Sequence, residues 1–324
     1  HFVPPPADAA DGLLARLVRG SLAALDGLPA ATFLLLVGTA LAASGRHAPG
    51  PVLRRTLALA ALGLPFWVFV WPNDILVPIA LSMPLVVALH RAGRGAVVAA
   101  LALLLACVPL ATALWGGYAW SDVRPDGTHL ANHSFGWHTA RWYLFDGAYP
   151  LLPWLCFPLL GVLFDGVRAS PPALARWFWL ALPPLALATA VDLAWGDAYE
   201  GGVHAHLAVT WQPTSLPFVL QWGGAAVALV AGACWFVRTR GEPRWLGAMA
   251  AVGRASLTHY LLHLVLVYAA MRAWWPAEDW SVGVGVAVAC GYCAFALGTS
   301  LVWFRSRRRG PVEALLAAVS GRGR

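Results

Sequence analysis

Nine apolar stretches fill most of this chain, at residues 28–44, 53–71, 75–90, 95–119, 148–167, 177–195, 215–237, 255–275 and 281–304. About 20 consecutive apolar residues make a helix long enough to cross a bilayer, and about 17 is the lower limit. Several stretches meet that easily. The shortest, 75–90, carries Pro78 and Pro84, which membrane helices tolerate where neighbours re-satisfy the freed backbone groups. The expected fold is an all-α, polytopic transmembrane helix bundle. It forms a single integral membrane domain over residues 1–324, with an extracytoplasmic loop or flap at about 120–147.

Arginine placement tests that count. Hydrophobic residues make up 60% of the chain and charged residues 11%, far from soluble-domain norms. There is no lysine, so all 22 positive residues are arginine and the net charge is +7. They fall in short clusters between apolar runs rather than along one solvated face, which excludes a nucleic-acid reading. Taken loop by loop, 17 of the 22 gather on one side and only Arg16, Arg19, Arg124, Arg141 and Arg272 on the other. Positive residues mark cytoplasmic loops, so the C-terminus is expected in the cytoplasm and residue 1 outside. An outside start implies one further helix upstream, about ten in the full protein. The expected location is the plasma or inner membrane. Tryptophans near the segment ends, Trp67, Trp71, Trp179, Trp235, Trp245 and Trp303 among them, read as an interfacial belt.

The outer side collects the titratable groups. All carboxylates except Asp165, Glu242 and Glu313 fall there, with His129, His133 and His138 in the long insertion. That insertion also holds Trp137, Trp142, Tyr143 and Phe145, too aromatic for a disordered connector. A folded flap over an outward cavity is one reading; a plain surface loop is the other. The five cysteines lie within apolar segments, where they pack as small hydrophobes. Cys290-Gly-Tyr-Cys293 has no accompanying ligand pair, so no metal is expected.

Inside the membrane, His259 and His263 share one helix face by their i,i+4 spacing. A helix starting at Arg254 would carry His263 about 13 Å deep at about 1.5 Å per residue. Intramembrane ionisable residues are functional candidates by default. Three roles compete for the pair: a metal or haem site, an interhelical hydrogen bond, and proton handling near neutral pH.

Four segments carry a resemblance. Tyr149-Pro-Leu-Leu-Pro-Trp-Leu-Cys-Phe-Pro-Leu-Leu-Gly161 resembles the "YPLFPWLAF-LLG" signature of the YeiB-type membrane proteins, and Gly253-Arg-Ala-Ser-Leu-Thr-His-Tyr-Leu-Leu-His263 is similar to their "GRMALTNYLLQS" segment. Trp71-Pro-Asn-Asp-Ile-Leu76 resembles their "GDIL" element opening a helix, and residues 25–38 their "DG…F…LFG" helix. Those proteins are grouped with heparan-α-glucosaminide N-acetyltransferase and its bacterial relatives. The family's Asp-x-x-Arg-Gly helix has no counterpart in these residues, and its lumenal histidine has only His1.

The resemblance implies a membrane acyltransferase with acyl-CoA, acetyl-CoA first, as co-substrate. The acyl group would pass from the cytoplasm to a hydroxyl or amine of an extracytoplasmic acceptor such as a glycan. General-base transfer without a metal requires a histidine to take the acceptor's proton. Outer candidates are His133 and His138, with Asp146 and Asp74 to orient them; inner candidates are His259 and His263. Arg254 is the candidate for a CoA phosphate, through its planar fork. The partners expected are the lipid bilayer, acyl-CoA and the acceptor, with a homodimer also open to such a bundle. Pro-broken helices and buried polar groups also suit a transporter or permease for a small polar substrate.

Overall fold

The computed structural model describes residues 27–44, 49–69, 74–114, 140, 142–195, 209, 214–269 and 282–321. No strand occurs among them. Helices run Leu28–Ala43 (α1), Pro49–Phe69 (α2), Leu76–Ala92 (α3) and Arg94–Leu114 (α4). A π-helical turn, Trp142–Asp146, precedes Leu151–Trp154 (α5), Cys156–Asp165 (α6), Pro171–Trp195 (α7) and Leu216–Arg240 (α8). Then come Arg244–Arg254 (α9), Ser256–His263 (α10) running into a π-helical Leu264–Ala269, Val282–Trp303 (α11) and Pro311–Val319 (α12).

Among the described residues, four helices are long and apolar enough to cross a membrane: Pro49–Phe69, Pro171–Ala194, Leu216–Arg240 and Gly283–Trp303. Five shorter apolar helices, Leu28–Ala43, Leu76–Ala92, Arg94–Leu110, Leu151–Asp165 and Ser256–Leu266, bring the apolar set to nine. The chain is a multi-pass helical membrane protein. Of the segment 120–147, only residues 140 and 142–147 are described.

The chain divides into two compact units, one of them Gly27–Gly241 and the other containing Glu242–Arg324. Local chemistry sets the ends of the helices. Ser215 caps α8, its Oγ accepting the Phe218 N–H at 3.1 Å, and Pro217 sits in the first turn, where its missing N–H costs nothing. Gly241 ends α8 at φ +83° and Gly93 separates α3 from α4 at φ +106°, values that glycine adopts without strain.

Within the first unit, α7 and α8 lie side by side, and α1 packs on α6. The second crossing is made backbone to backbone. A Cβ on Gly38 would overlap the Pro158 carbonyl, and one on Gly161 would overlap the Leu35 carbonyl. Thr39 closes the seam, its hydroxyl reaching the carbonyl oxygens of Leu35 at 3.0 Å and Gly161 at 3.1 Å. Small residues permit this close approach, which membrane helices use because burial against lipid gives no hydrophobic drive. Below it sit Leu34, Leu35, Phe157 and Leu159, all buried.

The 149–161 motif is therefore largely packing chemistry. The Trp154 indole N–H donates to Thr214 Oγ1 at 2.9 Å, and its ring meets Tyr149, Phe157 and Phe218 at centroid distances of 4.8, 5.2 and 5.5 Å. Trp179, Trp235, Trp245 and Trp303 are exposed as interfacial anchors would be, whereas Trp67 and Trp154 are buried.

In the second unit α9 packs on α11 and α10 on α12. The helix expected to start near residue 255 begins at Arg244 and is interrupted at Ala255, whose φ −113° and ψ 23° leave the helical region. Helix α12 is additional to the nine apolar segments.

Candidate functional site

Two polar clusters interrupt the apolar packing, one in each unit. The first sits at the start of α3. Asp74 is 2% exposed, and its Oδ2 accepts the N–H groups of Leu76 at 2.9 Å and Val77 at 3.3 Å. An acidic group there satisfies the helix's open N–H donors and complements its dipole. Gly63 of α2 leaves room for the carboxylate, since a Cβ at Gly63 would come within 2.7 Å of Asp74 Oδ2.

Beside it, Trp67 and Tyr143 stack at 5.5 Å with a 50° tilt. Burial first, and then the charge of Asp74, push the Tyr143 hydroxyl well above the ordinary tyrosine range. It therefore stays a proton donor across physiological pH. The Trp67 Nε1 and the Tyr143 hydroxyl are both buried and have no hydrogen-bond partner among the described residues. Buried donors are almost always paired in folded proteins, so two idle ones beside a carboxylate suit a hydroxyl-bearing guest. The backbone of Asp146 lies in the same π-helical turn as Tyr143. His133 and His138 lie outside the described residues.

The second cluster is on α10. His259 is buried, and its Nε2 lies 2.8 Å from the hydroxyl of Ser300 on α11, itself 1% exposed. The tautomer with hydrogen on Nε2 donates to Ser300 and leaves the Nδ1 lone pair as a base. That Nδ1 has no partner among the described residues. Tyr292 donates its hydroxyl to the His259 carbonyl oxygen, and its ring lies 6.4 Å from His259 and 6.0 Å from His263. His263 is half-buried and also meets Tyr260 at 5.3 Å. The π-helical Leu264–Ala269 follows at once, a departure from α geometry that is frequent at functional positions.

The start of this helix is secured. Glu313 of α12 caps α10: its Oε1 accepts the N–H groups of Leu257 at 2.8 Å and Thr258 at 3.1 Å, and its Oε2 accepts the Thr258 hydroxyl at 2.6 Å. Arg254 is exposed, with its guanidinium 4.2 Å from the Phe304 ring centre. Stacking of this kind holds the plane while leaving the edge N–H groups for an anion.

Ser300 and Glu313 were not singled out by sequence reasoning. A hydroxyl within an apolar helix is itself a signal for an interhelical bond, and Ser300 offers that signal. Glu313 offers none, because its partners lie 55 and 56 residues away. A cavity of about 210 Å³ lies apart from Asp74, lined by Leu101, Leu105, Leu160, Pro184, Leu220 and their neighbours, with Cys156. Its lining is apolar throughout.

No curated protein and no solved structure matches this chain. Residues 162–321, just under half of the chain, match the family described as protein of unknown function (DUF418), the YeiB-type family, and that span contains Arg254, His259, His263, Ser300 and Glu313.

Proposed function

We propose that the protein is a membrane acyltransferase. It moves an acyl group, acetyl first, from cytoplasmic acyl-CoA to a hydroxyl or amine of an extracytoplasmic acceptor such as a glycan. The observation that carries this reading is the buried His259–Ser300 pair with its unoccupied ring nitrogen. In the proposed step the acceptor's proton passes to His259 as the acceptor attacks the thioester carbonyl. The carbon–sulfur bond breaks, the acyl–oxygen or acyl–nitrogen bond forms, and CoA leaves as its thiol once the imidazolium returns the proton. Arg254, in the same unit as His259, holds a CoA phosphate.

Purified protein in detergent should release CoA thiol from acetyl-CoA when a glycan acceptor is present, followed with a thiol-reactive dye. No thiol above the protein-free rate with a range of acceptors would remove the reading. A transporter is favoured by a different observation, the interruption of α9 and α10 at Ala255. Broken helices of that kind frame substrate sites in permeases. Uptake of a labelled polar solute into proteoliposomes, without thiol release, would decide for it.

Orientation can be tested separately. The arginine distribution supports a reading with 238–254 on the cytoplasmic side and 120–147 outside. Cysteines introduced at His133 and Arg240 should label from opposite sides of sealed vesicles; labelling from one side refutes the arrangement.

A further inference from the structure

We propose that residues 303–319 form a latch on the His259 helix that is held closed by anionic phospholipid. The inference does not depend on acyl transfer. It starts from charge: Arg305, Arg307, Arg308 and Arg309 follow directly after the candidate span Gly283–Trp303, and all four are exposed. None has an ion-pair partner among the described residues. The turn that presents them is built. The Trp303 indole N–H donates to the Arg309 carbonyl oxygen at 2.8 Å, and the Arg307 guanidinium lies 5.9 Å from the Trp303 ring centre.

The next helix supplies the apolar half of a membrane-surface element. In α12, Leu316 is buried against the chain while Leu315 and Val319, four residues apart, are 55% and 44% exposed. An arginine cluster beside an outward apolar strip fits the headgroup layer of a negatively charged leaflet, where each arginine contributes on the order of 1 kcal/mol.

What makes the segment a latch is its other contact. Gly310 runs so close to the break in the α9–α10 segment that a Cβ there would overlap Glu313 Oε2 and come within 3.0 Å of Ala255 Cα. Val312 N–H donates to Thr258 Oγ1 at 3.1 Å. Together with the three hydrogen bonds to Glu313, this fixes the first turn of α10, which ends at His259. Lipid that pins Arg305–Arg309 therefore also pins the cap. Withdrawal of α12 would leave the N–H groups of Leu257 and Thr258 open and loosen the turn that aims the imidazole.

The test is hydrogen exchange over residues 256–263 in the full chain, held in nanodiscs of phosphatidylcholine alone or with phosphatidylglycerol. Exchange should slow about fivefold with the anionic lipid, the scale of one helix cap. Replacing all four arginines with glutamine should abolish the difference, and Glu313→Ala should leave exchange fast in both lipids. Circular dichroism checks that each variant is folded; the wild-type comparison needs no variant. Exchange indifferent to lipid charge overturns the proposal, as does an unchanged lipid response in Glu313→Ala. Protection induced in neutral nanodiscs by inorganic phosphate or free CoA overturns the lipid assignment in favour of a soluble phosphate.

Discussion

Replacing Gly161 with valine is expected to destabilise the protein severely. The site for the new side chain is occupied by the Leu35 carbonyl oxygen, with the Thr39 nitrogen only 2.9 Å away. Both are backbone atoms of α1, so no side chain can swing aside. Overpacking in a well-filled core costs about 1–3 kcal/mol when neighbours can yield; here the two helices must separate. Separation also breaks the Thr39 bond to the Gly161 carbonyl. The loss should be at the top of that range or beyond it, enough to exhaust much of an ordinary stability of about 5–15 kcal/mol. The measurement is the yield of monodisperse protein in detergent and its thermal midpoint. Gly291→Val in α11 is the matched control, because a Cβ there meets nothing within 4 Å. Equal midpoints for the two variants would show that the crossing is not close.

His259→Ala should lower acyl transfer by about 10²-fold or more, the usual scale for a lost general base. The variant is informative because two roles separate cleanly. If His259 serves only as a hydrogen-bond partner, Ser300→Ala removes the same bond and should match it in both stability and turnover. If His259 is the base, Ser300→Ala keeps the imidazole and loses far less turnover. His263→Ala should have the smaller effect of the two histidines, since its ring is half-buried, whereas that of His259 is buried and hydrogen-bonded to Ser300. Turnover of folded His259→Ala equal to that of the parent would reduce His259 to a packing residue. The base would then have to be sought among His263 and the outer histidines.

Much of the architecture is legible in the sequence, because lipid solvent forces long apolar runs to declare themselves. Each of the nine apolar segments holds a helix among its described residues, and the aspartate of Trp71–Leu76 opens a helix as its resemblance implied. What escaped was whatever depends on distant partners. Trp67 sits near a segment end and reads as an anchor, yet it is buried against Tyr143, some 76 residues further along by subtraction. Helix α12 has too few apolar residues to register as a membrane segment, and it follows a run of arginines that reads as tail. Arg254 looked like the start of a helix because charge commonly marks a segment's edge. It is the last residue of an amphipathic helix that faces outward through Trp245 and Met249.

The seam between α1 and α6 also imposes a schedule on biogenesis. Thr39 and Gly161 are 122 residues apart, and chains grow at about 5–20 residues per second. Dividing one by the other, α1 resides in the bilayer for roughly 6–24 s before the helix it must touch has been made. Through that interval its Gly38 notch faces lipid or whatever else is near, including the equally notched α1 of a neighbouring nascent chain. Cells making this protein at high rate should therefore show cross-linking between copies through the 31–42 face early in synthesis, fading as residue 165 is passed.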